Sequence, residues 1–149
     1  MAHTNQSIFI NAPLEDVFQY TINPENWAYF YNNLAAPKRI DGNGEAGTVV
    51  EADYAIMGMH FPQTIQVTEC ELSGSTARWT GMMSGSFTAK QTGLYKAVDN
   101  GTELTLDIES YIPHDLFGRI TDRMIYERIS RNSANHTLEN IKAICEGTD

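Results

Sequence analysis

Glu127 and Arg131 are the most informative pair of functional groups in this sequence. They stand four residues apart with the acid first, the order in which a helix brings opposite charges together. Exposed, such a pair stabilises a helix by only about 0.3–0.5 kcal/mol. Buried, it would need further partners, because a lone buried charge is costly. A guanidinium held in a cavity could polarise a carbonyl or stabilise an enolate. Tyr54 and Tyr95 sit on strand-like segments and could relay a proton. Arg131, Tyr54 and Tyr95 are therefore the candidates for catalysis, if any reaction occurs.

Other chemistry finds no support in the spacing. There is no nucleophile elbow, Gly-rich phosphate loop or helical His-Glu-x-x-His. His3, His60, His114 and His136 are scattered, and their spacing suggests no metal site. No cofactor is expected. Cys70 and Cys145 match no zinc or Cys-x-x-Cys pattern, which favours a reducing cytoplasm over a disulfide.

The charged pair needs an element to hold it, and His114 to Glu146 reads as one long helix. Leu116, Ile120, Met124, Ala134, Leu138, Ile141 and Cys145 form an apolar stripe at helical spacing. Glu127 and Arg131 interrupt that stripe at its centre, the first hint of a cavity. The alternative is that the helix bends or rotates midway so that both face water. Ile125 and Ile129, on the far side of the projection, favour that alternative. About 31 residues at 1.5 Å each span roughly 45 Å, so the helix needs a partner surface of similar length.

The preceding residues supply a sheet. Gln6 to Asn11 has strand composition. Pro13 with Glu15 and Asp16 opens a short helix to about Ile22, and Asn23-Pro24-Glu25-Asn26 opens a second. The second carries Trp27, Phe30 and Tyr31, needed as anchors because helices this short do not stand alone. Pro37 to Ile40 is a candidate short strand. From Thr48 the period changes to two, with turns near Gly58, Ser73-Gly74-Ser75 and Ser84-Gly85, and an Asn100-Gly101 hairpin. Glu103 to Ile112 alternates cleanly. In the meander the one Arg is Arg78, next to Trp79, so at most one of the two points inward.

The 149 residues suggest one domain over 1–149, and 42% apolar content excludes disorder. A net charge of −9 argues against nucleic acid and against anionic membranes as partners. No apolar run near 20 residues suggests a membrane span, so no stable membrane anchoring is expected.

The element order, with SIFINAPLEDVF, NPENW, the Asn-Gly-Thr-Glu-Leu hairpin and the closing TLENIKAICE, resembles the helix-grip superfamily. That group holds START-type lipid-binding domains, pollen-allergen-like proteins and bacterial polyketide cyclases/aromatases. The ends look most like bacterial polyketide cyclase/dehydrase proteins. The resemblance implies an α+β helix-grip fold: a curved antiparallel sheet of about six or seven strands around a long C-terminal helix, with two short helices after the first strand. It also implies a cavity between sheet and helix. Family cyclases are thought to use an Arg with Tyr or Ser nearby to fold a polyketone and remove water.

On this reading a hydrophobic small molecule, lipid- or polyketide-like, is the expected ligand, and the chain is a monomer or homodimer. The alternative is an aromatase/cyclase or dehydratase acting in the same cavity. The expected lining is Phe30, Tyr31, Tyr54, Ile56, Trp79, Phe87 and Tyr95 from the body. Ile120, Met124, Glu127 and Arg131 are expected from the helix. Met57, Met59, Met82, Met83 and Phe117 are expected to rim an entrance that Gly58 and Gly85 allow to move. Burying roughly 300 Å² of apolar ligand at about 25 cal/mol per Å² would give about 7 kcal/mol before binding costs.

Overall fold

The computed structural model describes residues 2–56, 58–111 and 123–147. Strand β1 (Ala2–Ile10) leads into helix α1 (Leu14–Ile22). A 3-10 turn at Pro24–Asn26 leads into the short helix α2 (Trp27–Phe30). Strands β2 (Arg39–Asp41), β3 (Val49–Ile56), β4 (Met59–Ser73), β5 (Thr76–Gly85), β6 (Thr88–Val98) and β7 (Gly101–Tyr111) follow, then helix α3 (Arg123–Cys145). The strands form one antiparallel sheet in the order β1-β7-β6-β5-β4-β3-β2. Each strand from β2 to β7 pairs with its sequence neighbour, and β1 closes against β7. This is the helix-grip arrangement, with both short helices after the first strand.

Strand β1 starts four residues before the sequence reading placed it. Its polar beginning hides a real alternation: Ala2 and Thr4 are buried while His3 and Asn5 are exposed. Strand β4 is also longer than expected, running through Pro62. There β5 has already ended, at the Gln63–Gly85 pair, so Pro62 is paired only towards β3. A strand margin of that kind tolerates a residue with no N–H. Between Val67 and Glu69 the register with β5 shifts, leaving Thr68 unpaired in the ladder. A bulge inverts the alternation and sharpens the local bend. Before it Phe61, Ile65 and Val67 face inward, and after it Cys70 does.

The inner face packs against α1, α2 and the C-terminal half of α3. Ile10, Val17, Trp27, Phe30, Val50, Val67, Leu104, Leu138 and Ile141 are almost fully buried there. The short helices are held as the sequence suggested. Asn23 Oδ1 accepts from Glu25 N at 3.1 Å, and the Trp27 indole donates to Thr21 O at 3.0 Å. Tyr95 meets Phe18 edge-on at 5.2 Å and shares a 2.6 Å hydrogen bond with Thr21. The end of α3 is fastened to the chain just after β1. Lys142 Nζ donates to Phe9 O at 2.8 Å and pairs with Glu146, whose carboxylate accepts from Asn11 N.

The sequence misplaced one face of α3. Ala134, Leu138 and Ile141 are buried as expected. Further towards the N-terminus the apolar stripe was extended through Met124, Glu127 and Arg131. In the structure Met124 is 75% exposed, Arg131 is exposed and Glu127 is half-buried. The helix presents Tyr126 and Ile129 to the buried Ile56, Phe61 and Phe87 instead. The expected helical residues before Arg123 lie outside the described residues.

Burial raises the pKa of the Tyr95 hydroxyl above its ordinary 10.0, against the opposing effect of its bond to Thr21. A folded-state pKa raised in this way contributes stability that is fully present below pH 10 and is lost as pH rises further. Urea unfolding followed from pH 8 to 11.5 will show stability falling above pH 10. The Tyr95→Phe variant will fall less steeply, by about 1.4 kcal/mol per pH unit. Its stability at pH 8 will be about 1 kcal/mol lower from the lost hydrogen bond. Parallel slopes for the two proteins would contradict this assignment.

Candidate functional site

Below the dry core, towards the N-terminal half of α3, packing loosens into a pocket of about 100 Å³. Its floor is the inner face of the sheet: Tyr54 from β3, Ile65 from β4, Trp79, Gly81 and Met83 from β5, Ala89 and Gln91 from β6, and Leu106, Ile108 and Ser110 from β7. Phe87, between β5 and β6, closes one side, and Trp27, Tyr31 and residues Asn32 to Leu34 close another. Helix α3 supplies Tyr126, Ser130, Ser133, Ala134 and Thr137.

Local backbone features shape this surface. Trp79 lies along β5 above Gly81, where an added Cβ would come within 2.5 Å of the indole ring. The Trp27 ring meets Trp79 edge-on at 5.7 Å. Tyr54 and Phe87 stack edge-to-face at 5.3 Å. The segment after α2 is stitched to β3: Ala55 N donates to Asn33 O, Asn33 Nδ2 to Ala55 O, and Ala35 N to Asp53 O. The same segment is tied to α3. Ser133 hydrogen-bonds Asn33, Thr137 Oγ1 accepts from Asn32 N at 3.2 Å, and Asn140 donates to Phe30 O at 3.1 Å.

The polar groups facing the pocket are neutral. Gln91 Nε2 donates to the Tyr31 hydroxyl at 2.6 Å, and the Tyr126 hydroxyl donates to Ser110 at 3.0 Å. Ser133 lies near the Tyr54 hydroxyl and opposes part of its pKa shift. Burial pushes the hydroxyls of Tyr31, Tyr54 and Tyr126 above their ordinary pKa, so all three stay protonated at neutral pH. No Asp, Glu, Lys, Arg or His lines the pocket among the described residues.

The structure brings only some of the expected site residues together. Tyr31, Tyr54, Trp79, Met83 and Phe87 line the pocket. Phe30 and Tyr95 belong to the dry core, and Ile56 to the small cluster with Phe61 and Phe87. Glu127 and Arg131 are not among the lining residues, so the guanidinium does not occupy the position the stripe suggested. Met57, Phe117 and Ile120 lie outside the described residues. The turns after β3 and β5 do share one end of the sheet, as the strand pairings Ile56–Met59 and Gln63–Gly85 require. The rim of methionines is thinner than expected. Met59 is 38% exposed, and Met82 is 41% exposed on the outer face, because neighbouring strand residues point opposite ways. Arg78 likewise points outward, paired with Glu69, while Trp79 points in.

Sequence reasoning missed the polar wall. Ser130, Ser133, Ala134 and Thr137 recur at helical spacing, a signal of small side chains rather than apolar ones. A second grouping lies on the outer face, where His3, Asp107 and Glu109 place possible metal-ligating atoms within 4.8 Å of one another. Asp107 already accepts from His3 at 2.5 Å and from Asn5 at 3.1 Å. The hydrogen bond to Asp107 raises the His3 pKa. These contacts account for the grouping without an ion.

Several solved structures share this fold. The START superfamily protein from Mycobacterium smegmatis aligns with a TM-score of 0.78 and 11% identity over 100% of both chains. The Zhui aromatase/cyclase from a Streptomyces species aligns at 0.72 and 14%, over 97% of this chain and 93% of that one. The Aha1 dimer from Colwellia psychrerythraea aligns at 0.65 and 17%, over 99% and 98%. No curated protein matches the sequence. Residues 1–146 match the family described as polyketide cyclase / dehydrase and lipid transport. With nearly its whole length inside that match and the fold to go with it, this chain belongs to the polyketide cyclase/dehydrase and lipid transport family.

Proposed function

We propose that the protein binds a compact, uncharged, largely apolar small molecule between the sheet and α3, as a carrier or receptor. The observation that supports this best is the chemistry of the pocket wall. It combines aromatic and aliphatic surface with a few neutral polar groups, the composition that holds apolar ligands by burial and orients them by hydrogen bonds. A volume of about 100 Å³ is below the roughly 300–1,000 Å³ of sites for drug-sized ligands, which favours a compact occupant. Native mass spectrometry of the protein purified from its own host will identify that occupant as a neutral added mass.

Two substitutions test the location. Ser130→Phe fills the pocket from α3 and will weaken binding of a neutral, polarity-sensitive naphthalene dye by at least about tenfold, since overpacking there costs about 1–3 kcal/mol. Arg131→Ala, on the exposed side, will leave affinity within about twofold. The reverse ranking, read by fluorescence titration, would move the site elsewhere.

One arrangement favours the second reading, a dehydratase or aromatase/cyclase. Tyr54 lines the pocket near Ser133, whose hydroxyl donates to Asn33, and its raised pKa keeps it protonated at neutral pH. Such a phenol could donate a hydrogen bond to a carbonyl or departing hydroxyl. On this reading Tyr54→Phe will remove turnover at least about a hundredfold while affinity changes by less than about threefold. On the carrier reading, affinity will be flat from pH 5 to 9, because the lining tyrosines do not titrate in that window. A bell-shaped profile of binding would contradict the carrier reading.

A further inference from the structure

Several polar atoms around the pocket are committed to neighbours within the fold. Tyr31 accepts from Gln91, Asn32 N is taken by Thr137, Asn33 binds Ala55 and Ser133, and Tyr126 donates to Ser110. The chain's two tryptophans, packed edge to face, differ sharply in this respect. Trp27 donates its indole N–H to Thr21 O. Trp79 is only 5% exposed, lines the pocket, and its Nε1 is buried with no acceptor among the described residues. An unmet buried donor is costly and rare in native proteins.

We infer that the Trp79 indole N–H is the specificity-determining donor of this pocket, selecting an uncharged ligand that presents a carbonyl or similar acceptor oxygen to it. The inference rests on the pocket being the binding site. Gly81 matters to the placement, because only a residue without Cβ lets the indole lie along β5 at this depth. No described lining residue carries a charge that would compensate an ionic ligand. A carboxylate brought here would lose its hydration and gain one neutral donor, which does not compensate a buried charge. A ketone loses far less on entry and satisfies the same donor. The pocket therefore separates neutral oxygenated molecules from hydrocarbons on one side and from free acids on the other.

Three small probes of nearly equal shape test this: 1-indanone, indane and 1-indanecarboxylate. Each is titrated into the full-length protein while the two indole N–H resonances are followed by ¹H–¹⁵N NMR. The Trp27 resonance is assigned from its contact to Thr21, and the other is that of Trp79. Indanone will bind about tenfold tighter than indane and at least tenfold tighter than the carboxylate. The Trp79 N–H resonance will shift downfield with indanone and not with indane, and the Trp27 resonance will move less. In Trp79→Phe, indanone and indane will bind equally. If that variant does not fold, the wild-type affinity ratio and the Trp79 resonance decide the question alone. Equal binding of indanone and indane by the wild type, or an unmoved Trp79 resonance, would overturn the donor role and leave the pocket as a binding site. Failure of all three probes to bind up to their solubility limits would instead sink the pocket reading itself.

Discussion

The edge-to-face contact of Trp27 with Trp79 is the joint on which this structure turns. Trp27 comes from a helix of one turn, too short to hold itself, and is fixed by its indole bond to Thr21 O and by burial. Trp79 comes from the middle of β5, beside the bulge that bends β4. Both rings belong to the dry core and both line the pocket. Their contact thus marks where close packing stops. On one side Leu138, Ile141 and the core aliphatics leave no polar group in need of help. On the other, α3 turns from leucine and isoleucine to serine, alanine and threonine, whose short side chains cannot reach the sheet. Small residues opposite a curved surface leave space, and their hydroxyls spend themselves on tying α3 to the segment after α2.

Charge follows the same division. The chain carries a net −9, yet the described pocket lining is neutral. Ion pairs such as Lys38–Asp53, Arg78–Glu69 and Lys142–Glu146 lie at the surface or partly exposed. Surface pairs of this kind add little stability, about 0–1 kcal/mol each. Their placement matters more than their strength. Among the described residues, charge is thus kept away from the pocket wall.

How much of this was legible in the sequence depended on which physical signal each element carries. The hairpin at Asn100-Gly101 and the alternation of β7 were plain, because turn chemistry and a period of two are local. The capping Asn23 and the anchoring role of Trp27 were equally plain. The polar start of β1 was not, since only pairing with β7 tells Thr4 from Asn5. The bulge at Thr68 was invisible for the same reason. It is a relation between strands, and it changes which residues after it face inward. The face of α3 was the most consequential miss. A search for apolar spacing follows Met124 across Glu127 and Arg131, whereas the helix turns Tyr126, Ser130 and Ser133 inward. A helix that lines a cavity violates the rule that buried faces are apolar, and the violation is itself the sign of the cavity. Ile129 gave the clue, for it is packed inward beside Tyr126, whereas Ile125 is 49% exposed.

General acid–base catalysis near neutral pH works best with groups whose pKa lies near the operating pH. The described wall offers tyrosines whose pKa is raised by burial, which moves them away from that optimum. A tyrosine in this state is a strong keeper of its proton and a good hydrogen-bond donor to a neutral oxygen. It can polarise a carbonyl, but it is a poor base. Tyr54 could therefore steady a carbonyl oxygen, while no Asp, Glu, Lys or His among the described lining residues stands ready to take a proton. The proposed carrier role asks for no more than recognition. The same hydrogen bonds that would stabilise an enolate also fix the orientation of a neutral ketone, and they do so without asking any side chain to change its charge.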